Sequence, residues 1–439
     1  MTIHARHPHR PLHLLAAALL ALAACGPSTA PITPAAVAQL PTDTPTPEAT
    51  ITPTPAATST PAPAVLSIWW PEPLAPVDNS DAADLLSEQI SGFQAAQGGD
   101  VLVDLRLKRE GDLGGIMATL RAASPVAPGA LPDLTLMQRS DLLAAAHDGL
   151  VFPLEGLVSS AVVGDLFQPA LQLGQVDGAL YGVPYMLSVE HMAYHDVGAS
   201  GLSWRFADVL ARGTPYAFPA GPAAGISRTL FSQYLDAGGS LDDANHLVID
   251  ADALLAVLTY YQQTVETGVL SPAVLNYARP ADYRVDLVAG VLDAGVVGST
   301  LYLSLVEESA ALRFGPLPTE SGVGASALDG WLWVLTTSSA DRQALAARFL
   351  NWMMNASRQG QYAQTVNMLP SQRTALQQWP ATPYTAFARE LLVGSIPYLA
   401  DNASSAAARA LQTAMTEVIS GQKDAAAAVE SVLDLLADQ

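Results

Sequence analysis

Apolar and polar positions divide the chain into three stretches. Leu14 to Ala24 is an unbroken apolar run that follows Arg6 and Arg10. It is too short to cross a bilayer, which takes roughly 20 residues. Residues 26–64 show no apolar periodicity and hold ten prolines and ten threonines. From residue 65 onward, short apolar runs alternate with amphipathic ones. Val65-Leu66-Ser67-Ile68-Trp69-Trp70 predicts a strand stopped by Pro71 and Pro73. Ser80 or Asp81 predicts the cap of a helix with Leu86, Ile90 and Phe93 on one face, ended at Gly98-Gly99. Val101, Val103, Leu105 and Leu107 alternate with the period of a strand. A helix around 112–123, a buried strand at 132–137 and a helix at 140–147 follow. Asp250 predicts the cap of a helix carrying Leu254, Leu258, Tyr261 and Val265, ended at Gly268. The βαβαβα order predicts an α/β sheet with parallel pairing, whose ligands gather at the carboxyl ends of the strands. Trp69, Trp70, Glu72, Gln138 and Arg139 stand at or just past such ends.

Composition narrows this picture. Among 439 residues, 20 Lys+Arg face 41 Asp+Glu, a formal net charge of -21. Basic clusters for binding phosphate are missing, which excludes a general nucleic-acid binder. At 50% hydrophobic the chain is not mainly disordered. A single cysteine excludes a disulfide framework and a cysteine-based structural zinc site.

That cysteine closes Leu22-Ala23-Ala24-Cys25. A basic start, a short apolar run and small residues read as a secretory signal over 1–24. Its end resembles the bacterial lipobox, in which the cysteine is lipidated and becomes the first mature residue. The resemblance implies an exported protein anchored through Cys25 to the outer face of the cytoplasmic membrane, at the cell surface or in the periplasm. Residues 25–64 then form a Pro/Thr-rich tether, extended at about 3.1 Å per residue and reaching at most roughly 120 Å.

Several segments of the body resemble one family. They are the opening strand Leu66-Ser67-Ile68-Trp69-Trp70, Leu131-Pro132-Asp133-Leu134 and Gly149-Leu150-Val151-Phe152-Pro153-Leu154. Tyr181-Gly182-Val183-Pro184-Tyr185, followed by Tyr194-His195, and Tyr234-Leu235-Asp236-Ala237-Gly238-Gly239 continue the series. Gly315-Pro316-Leu317-Pro318-Thr319, Gly330-Trp331-Leu332-Trp333-Val334 and Asn367-Met368-Leu369-Pro370-Ser371 complete it. In order and spacing they resemble extracellular solute-binding proteins of the carbohydrate ABC-transporter type, which include maltose-binding protein. The resemblance implies a type II periplasmic-binding-protein fold of α/β class, with about three chain crossings and ligand between two lobes. Lobe 1 is expected at 65–184 and 316–368, and lobe 2 at 185–315 and 369–439. Such lobes close on a solute by rigid-body rotation, so closure reports occupancy. The partners implied are a small solute, permease subunits and the membrane, with no nucleic acid, and the receptor is expected to act as a monomer without cofactor or metal.

A sugar cleft combines aromatic faces with carboxylates, amides or arginine. Trp70, taken to point outward while Trp69 enters the core, and Glu72 are candidates near the first strand. Gln138 and Arg139 end another strand. Tyr185 and Glu190 flank the first crossing. Trp331 shares a strand face with Trp333 and lies nearer the strand start. The family places a ligand-facing aromatic where Tyr302 stands, after Gly298-Ser299-Thr300. Its usual aromatic after the last strand of the second lobe has only Tyr398 as a loose counterpart.

Enzyme motifs do not emerge. Gly198-Ala199-Ser200-Gly201 lacks the spacing of a nucleophile elbow, and no phosphate-binding loop occurs. His191 and His195 fall in a strand-like run, where a spacing of four separates side chains by roughly 13 Å. Asp250-Ala251-Asp252 lacks the glycine and terminal glutamate of a calcium loop. Acidic pairs are plentiful, but nothing singles out one pair as a glycosidase centre. The leading expectation is a lipid-anchored receptor delivering a carbohydrate to an ABC permease. The alternatives are the same fold with a polyamine, glycerophosphoryl compound or other small solute, and an anchored hydrolase or adhesin.

Overall fold

The structure is a computed structural model. It describes residues 62–74, 79–109, 114–195, 203–221, 225–242, 245–323, 325–398 and 405–437. The signal sequence, Cys25, the tether up to Pro61 and the Gly198-Ala199-Ser200-Gly201 segment lie outside the described residues.

The strands are β1 (Ala64–Pro71), β2 (Val101–Lys108), β3 (Leu134–Gln138), β4 (Gln175–Val176) and β5 (Ala179–Leu180). Next come β6 (Val183–His195), β7 (Tyr216–Ala217), β8 (Ser240–Leu241), β9 (Leu247–Val248) and β10 (Ala294–Gly298). β11 (Leu312–Gly315), β12 (Ala327–Leu335), β13 (Leu369–Pro370) and β14 (Ile396–Pro397) complete the set. Ten of them join in one sheet of order β2-β1-β3-β12-β6-β10-β7, with β11 and β13 on β6 and β14 on β12. β1 pairs in parallel with both β2 and β3, as the βαβαβα pattern predicts. β12 is antiparallel to β3 and β6, and β6 to β10, whereas β14 pairs in parallel with β12. Pairs β4-β5 and β8-β9 stand apart.

Local chemistry sets the element ends. The first helix, Ser80–Ala96, is capped by Asn79, whose Oδ1 accepts from Ala82 N at 3.0 Å. The cap is thus one residue before the expected Ser80. Gly98 and Gly99 follow that helix with φ +69 and +83, conformations that cost glycine no Cβ clash. Asp250 caps helix Ala251–Glu266 through Ala253 N at 2.9 Å. Asp133 of the Pro132-Asp133 turn serves the frame. Its Oδ2 accepts from Ser67 N at 2.8 Å, and both carboxylate oxygens accept from Arg342. The turn thereby ties β1 to β3 and to helix Ala340–Met353.

Two main apolar cores build two lobes. The first takes side chains from Leu66 through Val189, then Leu328 through Leu392. The second takes Met192 through Ala327, then Ala408 through Val432. The cores therefore divide along β6 between Val189 and Met192, and along β12 between Ala327 and Leu328. A third crossing lies beyond Leu392, where β14 pairs with Ala327 and Leu328. The first core runs past the expected boundary at residue 369, and the divisions along β6 and β12 fall after the expected 184/185 and 315/316. Leu369, Leu376, Trp379, Ala388, Leu391 and Leu392 all join the first core. The reason is local: Ser371 Oγ donates to Pro184 O, and Gln359 Nε2 donates to Tyr185 O and Ser371 Oγ at 2.9 Å each. These bonds pin the segment to the first-lobe end of β6. Among the described residues no helix is long and apolar enough to cross a membrane.

Candidate functional site

A cavity of about 940 Å³ opens where the crossings meet. The first lobe contributes Asn79, Ser140, Thr365 and Asn367 to its wall. The second contributes Ser227, Arg228, Arg279, Thr300 and Ser304, and the crossings contribute Ser188, Glu190 and Tyr398. Topology explains the polar groups in this wall. β3 runs directly into helix Arg139–His147, and β10 into helix Ser299–Glu308. Ser140 and Thr300 are therefore first-turn residues at strand ends. Asn79 and Ser227 occupy the N-cap positions of two further helices. Unpaired backbone N–H groups at helix starts favour polar or anionic ligand atoms. Asn367 holds a left-handed backbone, φ 55, at the edge of the cavity.

The cavity floor is a charged cluster. Arg228 Nη2 donates to Asp329, a second-lobe helix side chain reaching a β12 carboxylate just past the crossing. The Arg228 guanidinium also lies 4.9 Å from the Tyr398 ring centre. Thr229 Oγ1 donates to Glu190 Oε2 at 3.1 Å. Burial pushes the Glu190 carboxyl above its usual range, opposed by Arg228 and the Thr229 bond. Burial alone would lower the Arg228 pKa, but Asp329, Glu190 and Tyr398 hold it above its ordinary value. Burial lifts Tyr398 to about 12, and its hydroxyl donates to Ile226 O at 2.6 Å. The floor thus presents donors and acceptors whose orientations are set before any solute arrives. Among the described residues, no three His, Cys, Asp or Glu side chains gather as a metal site.

Of the contacts expected from sequence, Glu190 lines this cavity, as does Tyr398, the loose counterpart of the family's aromatic. Trp70 points inward, against the expectation. It is fully buried among Trp333, Tyr362 and Tyr185, at ring-centre distances of 5.5, 5.5 and 6.2 Å. Tyr185 shares that cluster, and burial, helped by nearby Tyr362, holds its hydroxyl well above the ordinary tyrosine value. Trp69 takes the other face of β1 under Lys108, whose Nζ is 4.2 Å from the ring centre. Arg139 turns into the protein, where its Nη1 donates to Leu173 O and Gln175 O. Tyr302 packs on Tyr384 and His191 at 4.6 and 4.9 Å, on the helix side away from the cavity. Glu72 sits on a half-exposed turn, 4.0 Å from Arg109. Gln138 and Trp331, opposite each other in the β3–β12 ladder, line a smaller chamber of about 250 Å³ that shares Ser140 with the cavity.

A family model described as "Bacterial extracellular solute-binding protein" matches residues 88–388. The chain belongs to that family. It is accordingly an exported, non-enzymatic receptor of ABC transport. Solved structures agree on the fold. The cyclic alpha-maltosyl-1,6-maltose binding protein from Arthrobacter globiformis superposes with TM-score 0.69 at 17% identity, covering 85% of this chain and 98% of that one. Maltose-bound MalE3 of T. maritima gives 0.65 at 14%, covering 86% and 100%. MalE from Listeria monocytogenes in complex with maltose gives 0.66 at 14%, covering 85% and 97%. No curated protein matches the chain.

In this solute-binding protein, reading the sequence missed Arg228, Asp329, Arg279 and Asn367. One signal was legible. Ser227-Arg228 opens an amphipathic helix, Arg228–Asp236, and so stands at a helix start. Nothing local marks Asp329, which meets Arg228 101 residues away along the chain, whereas Asn367 opens a segment that the sequence did single out, though not as a contact.

Proposed function

We infer that this receptor is tethered to the membrane through lipidated Cys25 and captures a carbohydrate between its lobes for an ABC permease. The observation that carries the reading is the 940 Å³ cavity at the crossings, walled by both lobes. A solute touching both walls favours the closed arrangement by its differential affinity for it. Glu190 would accept sugar hydroxyls, Arg228, oriented by Asp329, and Thr300 would donate to ring or hydroxyl oxygens, and Tyr398 would cover an apolar ring face. Trp331 and Gln138 would extend the contact in the adjoining chamber. The sugars named for the neighbouring structures support the same class at low sequence identity.

Thermal melting of the purified chain against panels of sugars, polyamines and glycerophosphodiesters tests this. A bound solute raises stability by about RT ln(1 + [L]/Kd), roughly 2.7 kcal/mol at a hundredfold excess over Kd. A shift with a sugar supports the reading; a shift only with another class overturns it. Cys25→Ser is expected to release the protein from the membrane fraction into the medium, and retention would refute the anchor.

A further inference from the structure

With 41 acidic residues against 20 basic ones, an arginine in this chain readily finds a carboxylate. Arg121, Arg228, Arg284 and Arg342 each meet one in an ion pair. Arg348 and Arg358 meet none among the described residues, and both line one groove of about 650 Å³. Neither Asp nor Glu stands in its wall, and it shares no residue with the interlobe cavity. A purely basic groove runs against the charge of the whole chain.

The sequence builds this groove on the first lobe. Along helix Ala340–Met353, Ala344, Arg348, Asn351 and Trp352 recur at spacings of three and four, so they share a face. Ala344 and Ala347 are small and leave room where larger side chains would fill it. Phe93 stands opposite on helix Ser80–Ala96, with its ring centre 6.0 Å from that of Trp352. Asn351 fixes the remaining wall. Its Nδ2 donates to Leu157 O at 3.0 Å, and its Oδ1 accepts from Ser159 N at 2.9 Å.

The two guanidinium groups differ in how they are held. That of Arg358 lies 3.4 Å from the Trp352 ring centre, and its Nη1 donates to Trp352 O at 3.2 Å. Stacking fixes its plane and leaves its other N–H groups unbonded among the described residues. Partial burial lowers its pKa, and no acid opposes the shift, whereas Asp329 and Glu190 hold Arg228 above its ordinary value. Arg358 also stands in the first turn of helix Ala356–Thr365, whose start carries partial positive charge. Arg348 is exposed and free to swing over the groove.

A planar guanidinium offers paired N–H groups that match the oxygens of a carboxylate or phosphate two at a time. The groove also falls within the range of roughly 300 to 1,000 Å³ typical of small-ligand pockets. We propose that it binds a small oxyanion, a phosphate or a polycarboxylate, at a site separate from the interlobe cavity. Arg358 receives the oxyanion on its fixed edge, Arg348 closes over it, and Ala344, Ala347 and Leu157 cover the rest of the ligand. Every contact lies in one lobe, so occupancy does not favour the closed arrangement over the open one. The inference goes beyond the carbohydrate reading and does not depend on it.

Equilibrium dialysis of the full chain against labelled phosphate and labelled citrate, in chloride buffer of fixed ionic strength, tests it. Saturable binding of one anion per chain is expected, and which anion binds separates phosphate from carboxylate recognition. Arg348→Glu is expected to weaken that binding about tenfold or more, and an exposed position makes loss of the fold no explanation. Arg358→Lys keeps the charge but loses the fork, so it should weaken binding by a smaller factor. Arg228→Ala should leave it unchanged. Saturable binding of neither anion, or parental binding by Arg348→Glu, overturns the site. Loss in Arg228→Ala instead moves the anion to the interlobe cavity and also overturns it. Retention on phosphatidylglycerol vesicles that Arg348→Glu abolishes, without uptake of either free anion, replaces the small-molecule site with a membrane contact. A sugar response in thermal melting is independent of all these results.

Discussion

Two clusters of large polar and aromatic side chains lie in the same sheet and do opposite things. Trp70, Tyr185, Trp333 and Tyr362 meet edge to face, tilted or stacked on the first-lobe side, and each is essentially sealed from solvent. Glu190, Arg228, Asp329 and Tyr398 meet at the crossings, where the Arg228 side chain remains 36% exposed. Tyr185 and Glu190 are five residues apart on one strand. What separates their roles is the crossing between them. On the first-lobe side of β6 both sheet faces are covered by helices and core, so large rings are driven inward by burial. At the crossing the two lobes part, so polar groups line the cavity, Arg228 partly exposed and Glu190 buried but hydrogen-bonded to Thr229. Residue type alone does not mark the site; position relative to the lobe division does.

The largest effect should come from the closed cluster. Trp70→Ala is expected to cost about 3–5 kcal/mol of stability, as for other large aromatic deletions in cores. Urea unfolding measures it, and titration of the folded remainder should give unaltered affinity. A variant of full stability that no longer binds solute would reverse the two roles.

A second contrast lies between neighbours at the crossing. Burial lowers the His191 pKa to about 4, so native stability is lost as pH falls from roughly 6.5 toward 4, by on the order of 3 kcal/mol. His191→Gln should remove that loss. Glu190 has the opposite sign. Its folded pKa is raised, so its contribution is present below the ordinary carboxyl range and is lost as pH rises through the raised value. Glu190→Gln should therefore gain on the parent as pH increases. Melting profiles of both variants across pH would break the comparison if they shifted in the same direction.

A smaller expected effect falls on recognition. Arg228→Ala should weaken binding of the best solute at least tenfold, about 1.4 kcal/mol, with less loss of stability than Trp70→Ala. Affinity equal to that of the parent would remove the charged floor from the site. The smallest effect belongs to the surface. Lys108→Ala removes a cation–π contact on Trp69 and should cost under about 1 kcal/mol, with titration unchanged.

Elements were more legible in the sequence than contacts. The β1–β2–β3 pairing, the Asp250 cap and the glycine stop after Ala96 follow from alternation and capping chemistry within a few residues. The expected outward Trp70 failed for a reason that alternation cannot reveal. A strand covered on both faces buries both of its neighbouring tryptophans, and β1 lies between β2 and β3 with Trp69 and Trp70 both buried. Tyr302 failed similarly. It follows a strand as expected, but the helix turns it toward Tyr384 and leaves Thr300, Leu301 and Ser304 to face the cavity. Glu190 lies on β6 at the cavity wall, covered there beside Thr229.

The sequence by itself determined the class of fold, its strand and helix order, and a charged residue at the first crossing. The first two depend on periodicity or capping that acts over one or two turns of chain, and the third on the resemblance of Tyr181-Gly182-Val183-Pro184-Tyr185 to a family segment. Only the tertiary structure decided where the lobes divide and which aromatics are core. It alone joined Arg228 to Asp329, 101 residues apart. Those facts depend on which surfaces remain uncovered once two cores have formed from interleaved segments, and no local pattern carries that information.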